Sequence, residues 1–150
     1  MDMIDKKILR ILAENSGANA TEIGKAVNLS VPAVNKRIAK MKENKTISSF
    51  TVTTNAKAVG KPVVAFIFLV MQYGDGVEAL LRHIKSDVDI LECYAVTGEY
   101  DYVIKICAPT VETLEDKLLH LKKQKGVIKS LTMLSLMEHK FTTAILPDTE

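Results

Sequence analysis

The chain has 150 residues, of which 47% are hydrophobic and 25% are charged, and its formal net charge is +2. This apolar content is enough to bury a core in one or two small domains, and it excludes an intrinsically disordered chain. No apolar run reaches the roughly 18 residues that would span a bilayer, and the N-terminus lacks the apolar core of a signal peptide. We therefore expect a globular, cytoplasmic protein without membrane contact.

The charge is distributed unevenly along the chain. Residues 1–60 carry ten Lys and Arg against five Asp and Glu, whereas residues 61–150 carry ten against thirteen. A basic N-terminal segment followed by a mildly acidic remainder is typical of a phosphate-binding module attached to a neutral scaffold. The distribution favours a nucleic-acid partner for the first part of the chain.

Cysteines, histidines and glycines form no pattern of a catalytic or metal site. Cys93 and Cys107 lie in apolar stretches without a CxxC motif, so we expect buried, reduced thiols and no disulfide. His83, His120 and His139 have no spacing that indicates a metal site or a nucleophile, and no glycine-rich loop could cradle a phosphate. The sequence therefore argues against an enzyme and against a cofactor.

Three helical patterns follow one another at the N-terminus. A first helix over residues 3–15 carries an apolar stripe. A short second helix ends at Val27 and is capped by Asn19 or Thr21. After a tight turn, Ser30 caps a third helix, because its hydroxyl can accept a hydrogen bond from a free backbone N–H. This order is that of a helix-turn-helix unit.

The third helix has one packing side and one side suited to reading DNA. Val34, Ile38 and Met41 recur at helical spacing and form the packing side. The other side offers small residues for close approach, an amide for base edges and long cations for phosphates. The predicted DNA-binding residues are Ser30, Pro32, Ala33, Asn35, Lys36, Arg37 and Lys40. Arg37 lies close to the packing stripe, so it either contacts phosphate or braces the helix.

A β-prone run and a break separate this unit from the rest of the chain. In residues 46–55 apolar side chains alternate with hydroxyl residues, which predicts a wing strand or a strand that links to a second domain. Gly60, Lys61 and Pro62 then interrupt the chain. We place the helix-turn-helix domain at residues 1–46, a linker strand or hinge at residues 47–62, and a second domain at residues 63–150.

The second domain shows a βαββαβ pattern. A buried strand of about eleven residues begins at Val63, a helix ends near Ser86, and the turn GEYD joins two further strands. Gly126 closes a second helix before a long final strand. The predicted elements after the first helix are the strands Ile90–Thr97, Tyr102–Ala108 and Val127–Phe141. The fold class is therefore α+β, a three-helix (winged) helix-turn-helix domain plus a ferredoxin-like domain with helices on one sheet face.

The open face of this sheet needs a cover. The strands carry apolar residues beyond those that the helices can bury, and a second copy of the chain is the simplest cover. We therefore expect a homodimer formed through the sheet face or its edges.

Taken together, these motifs resemble the Lrp/AsnC family of feast/famine transcriptional regulators from Met3 to about residue 145. The resemblance rests on the opening IDKKILRILAENS, the helix-turn-helix TEIGKAVNLSVPAVNKRIAKM, the following strand with Ile47 and Phe50, and the hairpin VTGEYDYVI. It implies a transcription factor that binds double-stranded DNA, dimerises through its C-terminal sheets and often assembles into tetramers or octamers. An amino acid or a related metabolite commonly modulates such proteins.

The resemblance also implies an effector site between the C-terminal domains of neighbouring dimers. The matching positions in this sequence are Thr97, Gly98, Glu99, Tyr100, Asp101, Asp116, His120, Ser130 and Thr132. Gly98 would offer unobstructed backbone groups, the two hydroxyls would hold a carboxylate, and Asp101 or Asp116 would pair with an amino group. Two simpler interpretations remain: Gly98 permits a turn with positive φ, and Asp116 is a solvated helix carboxylate.

The chain departs from the family pattern in three places. Asn44 and Lys45 stand where a glycine is common, and we expect Asn44 to adopt the left-handed conformation. Glu99 replaces a frequent aspartate, which keeps the charge on a longer arm. His120 stands where some relatives place an acid, which argues against an amine-contacting role there.

Two functions fit the sequence. The first is a sequence-specific DNA-binding regulator whose oligomerisation or DNA binding responds to an amino acid, each dimer reading two half-sites about one helical turn apart. The alternative is an effector-independent architectural (nucleoid-type) protein that wraps DNA with a steep salt dependence and a small specificity ratio.

Overall fold

The computed structural model describes residues 1–72, 74 and 76–148, which form two compact units. The first unit contains Met1–Val52 and residues 139–148, and the second is Thr53–Glu138. The C-terminal segment joins the first unit because two basic side chains of the first helix donate to its backbone. Lys6 Nζ lies 3.0 Å from the carbonyl oxygen of Asp148, and an Arg10 guanidinium nitrogen lies 2.8 Å from that of Pro147. The sequence pattern did not predict that the C-terminal segment would pack with the first unit.

Three capped helices form the first unit: α1 (Met3–Glu14), α2 (Ala20–Val27) and α3 (Val31–Glu43). The predicted caps at Asn19 and Ser30 are confirmed, since their side chains accept from Glu22 N and Ala33 N. Apolar residues of all three helices share one core. Its buried members are Ile8, Leu12, Ile23, Val27, Val34 and Met41.

The turn between α2 and α3 depends on a close backbone approach at Gly24. Asn28 ends α2 in the left-handed conformation (φ 56°), and Leu29 N donates to the carbonyl oxygen of Gly24 at 2.9 Å. A Cβ on Gly24 would lie 2.5 Å from the carbonyl oxygen of Leu29. Any other residue at position 24 would collide with the backbone of the turn that leads into α3, so this position requires glycine.

The predicted strand over residues 46–55 is wrong. These residues form no strand, because a strand requires a hydrogen-bonded neighbour and no ladder of the described chain includes them. Ile47 instead packs on the core of the first unit, with its N–H 2.9 Å from the carbonyl oxygen of Met41. The turn before it differs in detail from the prediction, since Lys45 (φ 63°) and not Asn44 (φ −83°) takes the left-handed conformation.

The second unit has the predicted βαββαβ order: β1 (Val63–Met71), α4 (Gly76–Ser86), β2 (Ile90–Ala95), β3 (Tyr102–Ala108), α5 (Val111–Lys122) and β4 (Val127–Leu134). The strands form an antiparallel sheet of order β2-β3-β1-β4. Alternate residues of β1 and β3 pack with α4 and α5 into one core, as expected for a sheet with helices on one face. Burial raises the pKa of the Cys93 and Cys107 thiols, which are free in this unit.

The last strand is shorter than predicted. It ends at Leu134 and not at Phe141, because its neighbour β1 begins at Val63 and offers nothing further to pair with. The last bond of the ladder runs from Ser135 N to the carbonyl oxygen of Val64 at 2.8 Å. The strand β2 also stops two residues early, since the Val96 N–H closes the hairpin on the carbonyl oxygen of Asp101.

The sheet face away from the helices is apolar and open. Phe66 pairs with Met133 and Phe68 with Leu131 across β1 and β4. Phe66, Leu131 and Met133 are 38%, 37% and 51% exposed, respectively. Large side chains are thus left partly in water over the middle of the sheet.

An ion-pair network ties three segments of the second unit together. Lys117 of α5 lies 2.7 Å from Asp87 and 3.0 Å from Asp89, and Asp89 also pairs with Lys61 before β1. Burial raises the pKa of Asp87, but hydrogen bonds from Lys117 and the Asp89 N–H outweigh it, so the net pKa is lowered. Hydrogen bonds from Lys61 and Lys117 lower the pKa of Asp89.

This network predicts a specific loss of stability in acid. A carboxylate whose folded-state pKa is lowered stabilises the fold above its usual pKa of 3.8 and loses that contribution as the pH falls through the folded value. We expect Lys117→Met to cost about 1–2 kcal/mol near neutral pH and to reduce the loss of stability between about pH 5 and pH 2.5. Urea unfolding at several pH values measures both effects. The control is Lys122→Met at an exposed position of the same helix, and equal acid profiles for both variants would contradict the prediction.

None of the helices in the described part of the chain has the length and hydropathy of a membrane-spanning segment.

Candidate DNA-binding and effector sites

The outward side of α3 carries the predicted base and phosphate contacts. Pro32, Asn35, Lys36 and Lys40 are exposed, whereas Val34 and Met41 on the opposite side are buried. Within the described residues, Asn35, Lys36 and Lys40 form no ion pair or side-chain hydrogen bond, so their amide and ammonium groups are available. The helix presents an amide and two cations that have no partner in the described chain, which is the chemistry that base edges and phosphates require.

Two of the predicted DNA-binding residues have other tasks within the unit. The Ser30 hydroxyl accepts from the Ala33 N–H at 3.4 Å and thereby caps α3. An Arg37 guanidinium nitrogen lies 2.7 Å from carboxylate oxygens of both Asp2 and Asp5. The hydrogen bonds that Arg37 donates to Asp2 and then to Asp5 raise the pKa of Arg37. The pKa of Asp2 is lowered because its carboxylate accepts first from the Asp5 N–H and then from Arg37. The geometry favours the second of the two interpretations of Arg37, that it braces α3 against the start of α1.

We expect Arg37→Ala to lower the Tm of the protein by a few degrees and to leave the salt dependence of DNA binding unchanged. The reason is that its charge already serves the two carboxylates of α1 and is not free for a phosphate. Asp5→Asn should also lower the Tm, because it removes the charge of one of the two carboxylates that pair with Arg37. A reduction of the slope of log K against log salt by about one in Arg37→Ala, with an unchanged Tm, would instead make Arg37 a phosphate contact.

The hairpin between β2 and β3 holds five of the predicted effector residues. Thr97, Gly98 and Glu99 are exposed at its tip, and Gly98 has φ 113° with no heavy atom within 4 Å of where a Cβ would stand. The predicted positive φ is therefore confirmed. Tyr100 lies against Phe68 with 5.4 Å between ring centroids, and the Lys129 ammonium is 5.2 Å from the Tyr100 ring.

Asp101 anchors the hairpin to β1. Its carboxylate accepts from the Met71 N–H at 2.7 Å, and its own N–H donates to the carbonyl oxygen of Leu69 at 2.9 Å. These two hydrogen bonds give Asp101 a structural role in addition to the amine contact that the resemblance implies.

The remaining predicted effector residues lie elsewhere in the second unit. Asp116 and His120 of α5 line a groove of about 270 Å³ between α4 and α5. Ser130 and Thr132 of β4 pair with Leu69 and Ile67, which places them on the helix side of the sheet edge. Within one chain the nine positions thus form three groups: the hairpin, the α5 pair and the β4 pair.

Sequence reasoning missed three residues that shape these sites. His83 of α4 faces His120 across the groove, with 5.5 Å between ring centroids. Asp2 and Asp5 brace α3 through Arg37. The Asp2–Asp5 capping pattern was a readable signal for the start of α1, but no sequence spacing relates it to Arg37 or relates His83 to His120.

Comparison with known proteins agrees with this two-unit arrangement. Residues 1–42 match the AsnC-type helix-turn-helix domain, and residues 64–145 match the Lrp/AsnC ligand binding domain. The HTH-type transcriptional regulator FL11 of Pyrococcus abyssi is 34% identical over 145 residues, which cover 97% of this chain and 95% of that protein. The HTH-type transcriptional regulator LrpB of Bacillus subtilis is 28% identical over 151 residues, covering 99% and 98%.

The fold also matches a solved structure over nearly its whole length. The transcriptional regulator NMB0573 of Neisseria meningitidis, solved as a complex with L-Met, has a TM-score of 0.92 at 24% identity and covers 97% of this chain and 96% of its own. A helix-turn-helix domain joined to a ligand-binding domain defines a DNA-binding transcriptional regulator and not an enzyme. The chain belongs to the Lrp/AsnC family of transcriptional regulators.

Proposed function

We propose that this regulator acts in the cytoplasm as a homodimer that reads a specific DNA sequence with two copies of α3. The observation that carries the proposal is the exposed side of α3, where Asn35, Lys36 and Lys40 have no partner within the described chain. Asn35 would hydrogen-bond a base edge in the major groove, and the two lysines would contact phosphates on either side. Pro32 and Ala33 would contribute shape and methyl contacts at the N-terminal end of the helix.

The open sheet face supports the homodimer. A face-to-face pair of these sheets would bury Phe66, Phe68, Leu131 and Met133 against the same residues of a second copy. A two-fold axis makes such an interface self-complementary, so one apolar patch suffices for both partners. Dimers formed in this way could assemble further into tetramers or octamers through surfaces that the dimer leaves free.

We further propose that an amino acid or a related small metabolite modulates assembly or DNA binding. The match to a ligand-binding domain supports an effector of this kind. The candidate residues lie on three different elements, the hairpin, α5 and β4, and a neighbouring dimer would complete the site. A fold relative was solved with L-Met, so methionine is the first compound to test.

Sedimentation velocity of the purified protein tests assembly and ligand response together. The protein is run alone, with L-Met, and then with a pool of amino acids. We expect a dimer or higher oligomer whose distribution shifts when the effector is present. Gly98→Val should abolish the shift, because a side chain at φ 113° is strained and obstructs the backbone groups of the hairpin.

Two outcomes would contradict parts of the proposal. A protein that is a monomer at all concentrations tested would contradict the proposed homodimer. If no amino acid changes either the assembly or the DNA affinity, the effector response is contradicted and the architectural alternative is favoured.

A further inference from the structure

Two of the three histidines of the chain meet across the groove between α4 and α5. The rings of His83 and His120 have centroids 5.5 Å apart and planes inclined by 32°. His83 is half-buried and His120 is exposed, so both rings can be reached from solvent. Neither ring forms a side-chain hydrogen bond or ion pair with another described residue.

The groove around this pair carries an excess of negative charge. Among the described residues that line the groove, Lys117 is the only lysine or arginine, and Asp87 pairs with it. Asp89, outside the lining, is shared by Lys117 and Lys61. Asp116 lines the same groove one helical turn before His120, and its carboxylate has no ion pair within the described residues. The surroundings therefore favour a cation and disfavour an anion.

The spacing of the two rings fits coordination of a single metal ion. A metal–nitrogen bond of about 2.0–2.1 Å places each imidazole centroid about 3.2 Å from the ion. When each ring turns one nitrogen toward the same ion, two centroids 5.5 Å apart subtend an angle of about 120° at that ion, close to the tetrahedral value. Imidazole nitrogen is a preferred ligand of the late first-row divalent metals.

We propose that His83 and His120 form a binding site for a late first-row divalent metal ion such as Zn²⁺ or Ni²⁺. The proposed site has two protein ligands, because among the described residues no group of three or more His, Cys, Asp or Glu side chains is placed to hold a metal. Water fills the remaining positions, and Asp116 accepts a hydrogen bond from a metal-bound water. The site shares Asp116 and His120 with the candidate effector positions, but the inference does not depend on the amino-acid response proposed above.

Isothermal titration with Zn²⁺, repeated with Ni²⁺, tests the site on the full-length protein. We expect one ion per chain for the wild type. His83→Ala and His120→Ala should each weaken binding by at least about tenfold, and the double variant should bind no more tightly than either single variant. Asp116→Asn should weaken binding by a smaller factor.

His139→Ala is the matched control, because His139 is exposed and lies outside the groove. It should bind within about twofold of the wild type, and circular dichroism should show that all variants are folded. Absence of binding in the wild type, or binding that survives in both single groove variants, would overturn the proposal. Equal weakening in His139→Ala would also overturn it.

Discussion

Gly24→Ala is expected to destabilise the helix-turn-helix unit by about 3 kcal/mol and to abolish DNA binding at concentrations that saturate the wild type. The added Cβ would stand 2.5 Å from the carbonyl oxygen of Leu29 and 3.7 Å from a methyl carbon of Val34. The first contact involves backbone, so relief requires α2 and α3 to move apart. That movement opens the core that Val34 helps to close. Urea unfolding followed by circular dichroism measures the loss.

The control for this substitution is Gly17→Ala. A Cβ at Gly17 would approach only the Asn15 side-chain oxygen, at 3.3 Å, and that side chain can rotate away. We expect its stability to lie within about 0.5 kcal/mol of the wild type. Equal stability of both variants would show that the turn does not depend on the close approach at Gly24.

The double variant Lys36→Ala/Lys40→Ala is expected to reduce the salt dependence of DNA binding. Each phosphate contact contributes about 0.9 to the slope of log K against log salt, so the slope should fall by about 1.8 per protomer and by twice that for a dimer. Both lysines are exposed and unpaired in the described chain, so the fold should be unaffected. Fluorescence anisotropy with labelled duplex DNA at several salt concentrations measures the slope.

Lys85→Ala/Lys123→Ala is the matched control, since both lysines are exposed in the second unit and the net charge changes equally. Its slope should equal that of the wild type. Equal reductions in the two double variants would mean that net charge, and not the exposed side of α3, determines the affinity.

Local signals in the sequence sufficed for the helices of both units. Asn19 and Ser30 could be identified as caps because capping depends on residues only three positions apart. The βαββαβ order could be predicted because periodicity distinguishes strands from helices. The open sheet face also followed from the number of apolar residues on the strands.

Features that depend on a distant partner could not be predicted. The end of β4 at Leu134 is determined by where β1 begins, and the run after α3 forms no strand because no neighbouring segment completes a ladder. Likewise, Arg37 lies beside Asp2 and Asp5 only because the fold brings the start of α1 against α3. Sequence spacing carries no record of such contacts.

The candidate effector residues illustrate the same limit. The resemblance identified positions on the hairpin, on α5 and on β4, but it could not show which residues surround each of them in the folded chain. Nor could it show that Asp101 already accepts the Met71 N–H, or that His120 faces His83. Each of these facts requires the relative positions of elements that are distant in sequence.

The most direct test of the proposed function is the ratio of affinities for a selected DNA site and for a scrambled duplex of equal length. The site is obtained by repeated selection from random DNA, and both affinities are measured at one physiological salt concentration. We expect a ratio of at least about 10³ for the wild type, falling by about tenfold or more in Asn35→Ala because a base-edge contact is lost. A wild-type ratio near one, together with a steep salt dependence, would contradict sequence reading by α3 and establish the architectural alternative.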